Sequence, residues 1–218
     1  MKWKYNSNNL NLAFYFQKMH VVQLIDYFEG TNQCVILMEV LNGGELFKYI
    51  SSNDYRLTEA KCRYFAREIL HAVQFMHGSG IIHLDLKPEN IVLSQGQQNA
   101  ERLKLIDFGL ARDLKEKDRI SIGMCGTLEF ISPEVLRCSH ATFASDMWSI
   151  GVIFYMMLSG GISPFFDGTK YGTQRAINRG RFVKGGFTHS SFNAISTSAI
   201  DCMSNLLKLD PSKNISDY

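Results

Sequence analysis

The segment His83-Leu84-Asp85-Leu86-Lys87-Pro88-Glu89-Asn90, followed 17 residues after Asn90 by Asp107-Phe108-Gly109, gathers the side chains that phosphoryl transfer requires. That reaction needs little covalent help from a protein. It needs a carboxylate to orient an attacking hydroxyl and accept its proton, oxygen ligands for Mg²⁺, and a cation beside the transferring phosphate. Asp85, Lys87, Asn90 and Asp107 supply these groups. Mg²⁺ is held by one or two carboxylates, with neutral oxygens and phosphates completing its shell, which suits Asp107 together with Asn90. Taken singly, Asp85 could be a solvated loop carboxylate and Asp107-Phe108-Gly109 an ordinary turn.

The elements around these residues order themselves as strands first and helices later. Val21–Phe28 and Cys34–Val40 are β-rich runs flanking Glu29–Gln33, which contains Gly30, and predict a hairpin. Leu41-Asn42-Gly43-Gly44 breaks the pattern, and Glu45–Ile50 predicts a short helix. Thr58 is placed to cap a helix running through His77, whose apolar positions Cys62, Phe65, Ala66, Ile69, Leu70, Val73 and Met76 fall at i, i+3, i+4 spacing. Two short strand pairs are expected from Ile81-Ile82, Ile91–Leu93 and Leu103–Ile106, then a long loop over Asp113–Gly126 and helical structure beyond Pro133. Asp146 to Leu158 is apolar around nearly its whole circumference, the pattern of a helix buried at the centre of a fold. Thr197–Leu209 is amphipathic and stops near Asp210-Pro211. The expected class is α+β with a helical main lobe.

Composition bounds the rest. The 218 residues, 45% hydrophobic and 20% charged, make one domain or one and a fraction. With 23 Lys+Arg against 21 Asp+Glu, the net charge of +2 gives no reason to expect nucleic acid or an anionic membrane as the main partner. No segment reaches the ~18 consecutive apolar residues of a membrane span, and the N-terminus does not read as a signal peptide. Cys34, Cys62, Cys125, Cys138 and Cys202 are odd in number and hold no C-x-x-C pair, so the expected setting is a reducing one, the cytoplasm.

The catalytic segment and the Asp107-Phe108-Gly109 turn resemble the catalytic and metal-binding loops of protein kinases. The resemblance extends through Gly126-Thr127-Leu128-Glu129-Phe130-Ile131-Ser132-Pro133-Glu134 and Asp146-Met147-Trp148-Ser149-Ile150-Gly151, and covers roughly residues 20 to 216. Met38–Phe47, Ile82–Asp85 and the Asp146–Val152 run are most similar to the calcium/calmodulin-dependent serine/threonine kinases, nearest to the death-associated and myosin-light-chain branch. The resemblance implies a two-lobe kinase fold, with residues 1–40 a partial small lobe and 41–218 a large lobe incomplete at its C-terminus. It implies ATP and Mg²⁺ as cofactors and transfer to Ser or Thr of proteins that carry basic residues nearby. By the same likeness Asp85 is the base and Lys87 the phosphate partner. Asn90 and Asp107 are metal ligands, with Phe108 and Gly109 in their loop. Met38 is the gatekeeper, and the backbone of Glu39 and Leu41 bonds adenine. Glu45 meets ribose or a basic substrate group, as Glu89 meets a basic substrate residue. Thr127 braces Asp85, His83 is a packed spine residue rather than a catalyst, and Asp146 holds the catalytic-loop backbone. The remaining histidines, His20, His71, His77, His140 and His189, are expected at the surface or in packing. Calmodulin is an implied partner through a region outside these residues.

The chain departs from the pattern in places. A kinase small lobe needs about 60 residues or more for its strands and helix, whereas 38 precede Glu39. No glycine precedes Gly30 and no carboxylate precedes Asp26. A glycine-rich phosphate loop and the glutamate of the Lys–Glu pair are therefore missing, and of Lys2, Lys4 and Lys18 none is placed to pair with phosphate. The expectation is an N-terminally truncated chain, with Asn6–Leu12 either unrelated or a remnant. Leu84 replaces an arginine that pairs with an activation-loop phosphate, Leu128 a proline and Ser132 an alanine. Asn214 stands where the family places an arginine that pairs with the glutamate equivalent to Glu134. Two readings stay open: a serine/threonine kinase with little turnover as this chain stands, and a non-catalytic module that binds partners.

Overall fold

The computed structural model describes residues 20–31, 33–51, 57–95, 101–114 and 119–213. Asn6–Leu12, Lys2, Lys4, Lys18 and Asn214 lie outside the described residues.

The β-rich runs fold as an antiparallel hairpin, β1 (Leu24–Glu29) and β2 (Cys34–Met38), shorter than the sequence pattern suggests and with a register shift between Leu24 and Asp26. The lost end of β1 has another job. Val22 donates its N–H to Leu105 O (2.9 Å) and Leu105 donates to His20 O (2.8 Å), tying the entry of the hairpin to a later strand. Both faces of the hairpin carry exposed apolar side chains, including Ile25, Phe28, Val35 and Leu37.

Leu46–Ser51 forms α1 and Glu59–Gly78 forms α2, which begins where Thr58 Oγ1 accepts the Lys61 N–H. The remaining strands are β3 (Ile81–Ile82), β4 (Ile91–Gln95), β5 (Glu101–Leu105), β6 (Arg112–Asp113), β7 (Ile120–Ser121) and β8 (His140–Ala141). They pair in antiparallel twos: β4 with β5, β3 with β6, and β7 with β8. Ile81-Ile82 therefore pairs with Arg112-Asp113 rather than with either neighbouring strand. The segment expected to be one long loop contributes a strand to each of two ribbons, because two-residue strands leave no periodicity to read. The helical remainder comprises α3 (Pro133–Leu136), α4 (Phe143–Ser159), α5 (Lys170–Arg179) and α6 (Thr197–Leu206).

Helix α4 is the axis of the core. Every residue from Ala144 to Ser159 is buried, as its unbroken apolar surface requires. A capping box fixes its start, Thr142 and Ser145 each bonding the other's backbone N–H, and Gly160 ends it in the left-handed conformation (φ 77°). Packed on it are α2 and α6, while Tyr155 meets Phe192 at 4.8 Å and Trp148 stacks on Phe165 at 5.2 Å. The closest approach is at Gly151, where a Cβ would lie 2.9 Å from Leu206 Cβ and 2.9 Å from Leu207 Cδ2. No helix among the described residues is long and apolar enough to cross a membrane.

Overpacking a full core typically costs ~1–3 kcal/mol. Gly151→Ala is therefore expected to lower unfolding stability by about that amount, read from the midpoint of a urea titration. An unchanged midpoint would mean that α4 and α6 can separate freely.

Candidate active site

The loop from His83 to Asn90 leaves the buried strand β3 and turns back into β4. Leu84 adopts a left-handed backbone (φ 68°), which is strained for a branched side chain and persists only when its surroundings impose it. They do so through Asp146. Its Oδ2 accepts the His83 N–H and its Oδ1 the Leu84 N–H, both at 2.9 Å, from the first turn of α4, where the helix dipole favours a carboxylate. Leu86, fully buried, anchors the other side of the turn, and Pro88 opens a 3₁₀ turn through Asn90.

Asp85 thereby faces a second loop. Its Oδ1 accepts from Thr127 N (3.1 Å) and Thr127 Oγ1 (2.9 Å). Its Oδ2 accepts from Lys87 Nζ (2.9 Å) and Asn90 Nδ2 (3.2 Å). Lys87 Nζ also donates to Thr127 Oγ1 at 3.0 Å, closing a ring of contacts. Gly126 permits the approach: it sits at φ 93°, and a Cβ there would meet Leu84 O at 2.7 Å.

Asp107 reaches this cluster through its neighbour, since Ile106 donates its N–H to Asn90 O at 2.9 Å. Asp107 is itself left-handed (φ 62°), and its Oδ1 accepts the Gly109 N–H at 3.2 Å. Phe108 is buried with its ring centroid 5.1 Å from that of His83. Asn90 spends its amide nitrogen on Asp85, with a second bond to Asp85 O at 2.9 Å, which leaves Oδ1 as a bare acceptor. Among the described residues neither Asn90 Oδ1 nor Asp107 Oδ2 has a protein donor. One neutral and one anionic oxygen on adjoining segments match the ligand chemistry of Mg²⁺.

Other residues singled out from the sequence lie around this centre without touching it. Met38 is 45% exposed on the hairpin. Glu39 accepts the Gln23 N–H (2.7 Å) and pairs with Lys104, so its side chain serves structure, while its carbonyl has no partner among the described residues. The Leu41 N–H is also without a protein acceptor among the described residues. Glu45 forms an isolated bridge to Val92 that stitches the connection after β2 onto β4. Glu89 Oε2 is buried and unpartnered. Glu134 accepts from Ser145 Oγ at 2.6 Å, which joins α3 to the cap of α4.

Residues 6–217 match the protein kinase domain family. The chain belongs to that family. Similar proteins include human myosin light chain kinase 3, 39% identical over 209 residues that make up 96% of this chain and 25% of that protein. Human myosin light chain kinase family member 4 is 38% identical over 209 residues, 96% of this chain and 52% of that protein. Chicken smooth muscle myosin light chain kinase is 40% identical over 190 residues, 87% of this chain and 10% of that protein. The matched stretch spans between a tenth and about half of these relatives' lengths.

One residue of this kinase that the sequence hid is His77. Expected at the surface or in packing, it is buried with Nε2 2.9 Å from Asp146 Oδ2. Its place in the last turn of α2 gives no sign of a partner 69 positions away. Burial works to raise the pKa of Asp146. The bond and charge of His77, with His83 nearby, overcome this and hold it below the ordinary carboxylate range. Burial also pushes His83 below the usual imidazole value, and its Nδ1 accepts the Asp85 N–H at 3.3 Å.

His83 stabilises the fold in its neutral form. Its folded pKa lies below the unfolded 6.5, so its contribution is complete above that value and is lost as pH falls below it, at up to about 1.4 kcal/mol per pH unit for one excluded proton. Thermal midpoints are expected to fall as the pH drops from about 7.5 to about 5.5, with a shallower fall in His83→Phe. Parallel profiles for the two proteins would show that His83 does not titrate against folding.

Proposed function

We propose that this protein kinase domain transfers the γ-phosphoryl group of Mg·ATP to serine or threonine hydroxyls of protein substrates, with Asp85 as the base. The observation that carries this reading is the Asp85 carboxylate, clamped by Thr127 on one oxygen and by Lys87 and Asn90 on the other. A carboxylate fixed in this way can align an incoming hydroxyl and take its proton as oxygen bonds to phosphorus, without reorganising during the step. Lys87, already bonded to Asp85, places a positive charge where the transferring group gains negative charge. Asn90 Oδ1 and Asp107 would hold Mg²⁺. When bound, Mg·ATP supplies the phosphoryl group, and the metal neutralises its oxygens. The free Leu41 N–H and Glu39 carbonyl suit the edge of adenine, beside Met38. The unpartnered Glu89 Oε2, with Glu45, suits a basic group on the substrate. A cytoplasmic setting and calmodulin as regulator come from the same kinship.

The second reading is a non-catalytic partner-binding module. What favours it is the exposed apolar surface of the hairpin, with Ile25, Phe28, Val35 and Leu37 open to solvent.

Phosphate transfer from labelled ATP to a basic serine peptide is expected to be measurable and Mg²⁺-dependent. It should fall by ~10²–10⁴-fold in Asp85→Ala, the usual worth of a positioned base, with the thermal midpoint little changed. Titration with a fluorescent ATP analogue, with and without Mg²⁺, separates the readings. Mg²⁺-enhanced binding that Asp107→Ala removes supports the enzyme, and binding indifferent to both favours the module.

A further inference from the structure

Between Gly168 and Ile200 the chain holds five Lys or Arg residues and no Asp or Glu, against 23 and 21 in the whole sequence. The five are Lys170, Arg175, Arg179, Arg181 and Lys184, and all are exposed. Arg137 joins them from the end of α3, its guanidinium donating to Asn178 Oδ1 (2.9 Å) and Asn178 O (3.0 Å) of α5. None of the six has a carboxylate within 4.0 Å among the described residues. Asp167, which precedes the helix, is engaged by the Thr169 N–H (2.9 Å) and hydroxyl (3.0 Å), and its charge also interacts with Arg175. A surface kept only for solubility intersperses the two signs. Along Gly168–Ile200 this one does not.

The helix orders these charges. On α5, Gly172, Thr173, Ala176 and Ile177 are buried. Tyr171, Arg175 and Arg179 recur every four residues and share the outward face, with Tyr171 79% exposed. An open tyrosine at the end of an arginine row has the composition of an interface rather than of a solvated helix. The buried face of α5 packs on the Leu128–Phe130 turn, one step beyond Thr127, and Gln174 Nε2 contacts the Sδ of Met124, itself 46% exposed. Helix α5 is thus in contact with the segment that carries Thr127.

We propose that α5 and the Arg181–Lys184 segment form a docking surface for an acidic protein segment that carries apolar side chains between its carboxylates. Carboxylates would pair with Arg175 and Arg179, a planar fork being suited to two-point contact. An aliphatic or aromatic residue would lie on Tyr171 and Met124. The site stands apart from the Asp85 pocket and does not depend on the reaction assigned there, although a protein held on it would lie beside that pocket.

The test is fluorescence anisotropy with a fluorescein-labelled peptide of Glu-Glu-Leu repeats. Binding is expected to weaken with salt. It should weaken at least tenfold in Arg175→Glu/Arg179→Glu, to a lesser degree in the milder Arg175→Gln/Arg179→Gln, and measurably in Tyr171→Ala. Lys48→Glu/Lys208→Glu, which changes the net charge equally on exposed residues elsewhere, should leave binding unchanged. Circular dichroism of each variant keeps folding separate from affinity. The proposal is overturned if a Lys-Lys-Leu peptide binds as well, or if both charge-reversed proteins bind alike. It is also overturned if phosphatidylserine vesicles or single-stranded RNA bind more tightly than the acidic peptide and lose that binding in Arg175→Glu/Arg179→Glu.

Discussion

The buried carboxylate of Asp146 is the interaction on which the catalytic geometry rests. An isolated charge in such a place costs several kcal/mol. Here it is compensated by the His83 and Leu84 amides, by His77, and by the first turn of α4. The same bonds convert the position of a core helix into the conformation of a loop. With Asp146 fixed by an almost wholly buried helix, the Leu84 backbone is held at φ 68°, and the next residue, Asp85, is aimed away from the core.

The second constraint arrives from 42 positions further along the chain, where Thr127 meets Asp85 with both its amide and its hydroxyl. Gly126 makes this possible, since any side chain there would collide with the Leu84 carbonyl. The strained Leu84 and the left-handed Gly126 therefore face each other. Both loops are braced against α4: the first through Asp146, the second through Ser149 Oγ, which donates to Phe130 O at 2.8 Å. Helix α4 thus supports the Asp85 cluster from both sides. A cluster held from two directions by one helix has little freedom to drift, as preorganised catalysis requires.

What could be read in advance followed the range of the interaction. The Asp85, Lys87 and Asn90 set and Asp107 lie within 25 residues of one another, and the expectation of phosphoryl transfer came from their types and spacing together. Helix α4 was equally plain because it is apolar all round. Thr127 needed kinship, since nothing local links a threonine to a carboxylate so far upstream. His77 with Asp146 and Glu39 with Lys104 were invisible for the same reason: pairs 69 and 65 positions apart leave no pattern in the string. The partner of Ile81-Ile82 was missed because β6 is two residues long, too short for alternation to show.

The hairpin and the helical lobe are joined in a way that separates two functions. Apart from Val21 and Val22 at its entry, the main buried cluster draws no residue from β1 or β2. The connections are backbone bonds, Val22 to Leu105 and Gly43 to Leu93, and the Glu39–Lys104 ion pair. The hairpin is therefore tethered to the β4–β5 ribbon, whose ends carry Asn90 and Asp107, whereas Asp85 is set by α4, β3 and the loops between them. Change in the hairpin would reach the Asp85 clamp last, because the bonds that fix it from Asp146 and Thr127 do not pass through these strands. The clamp on Asp85 can thus keep its geometry independently of these two strands, and its presence speaks for the chemistry proposed for the lobe rather than for the rate of the whole.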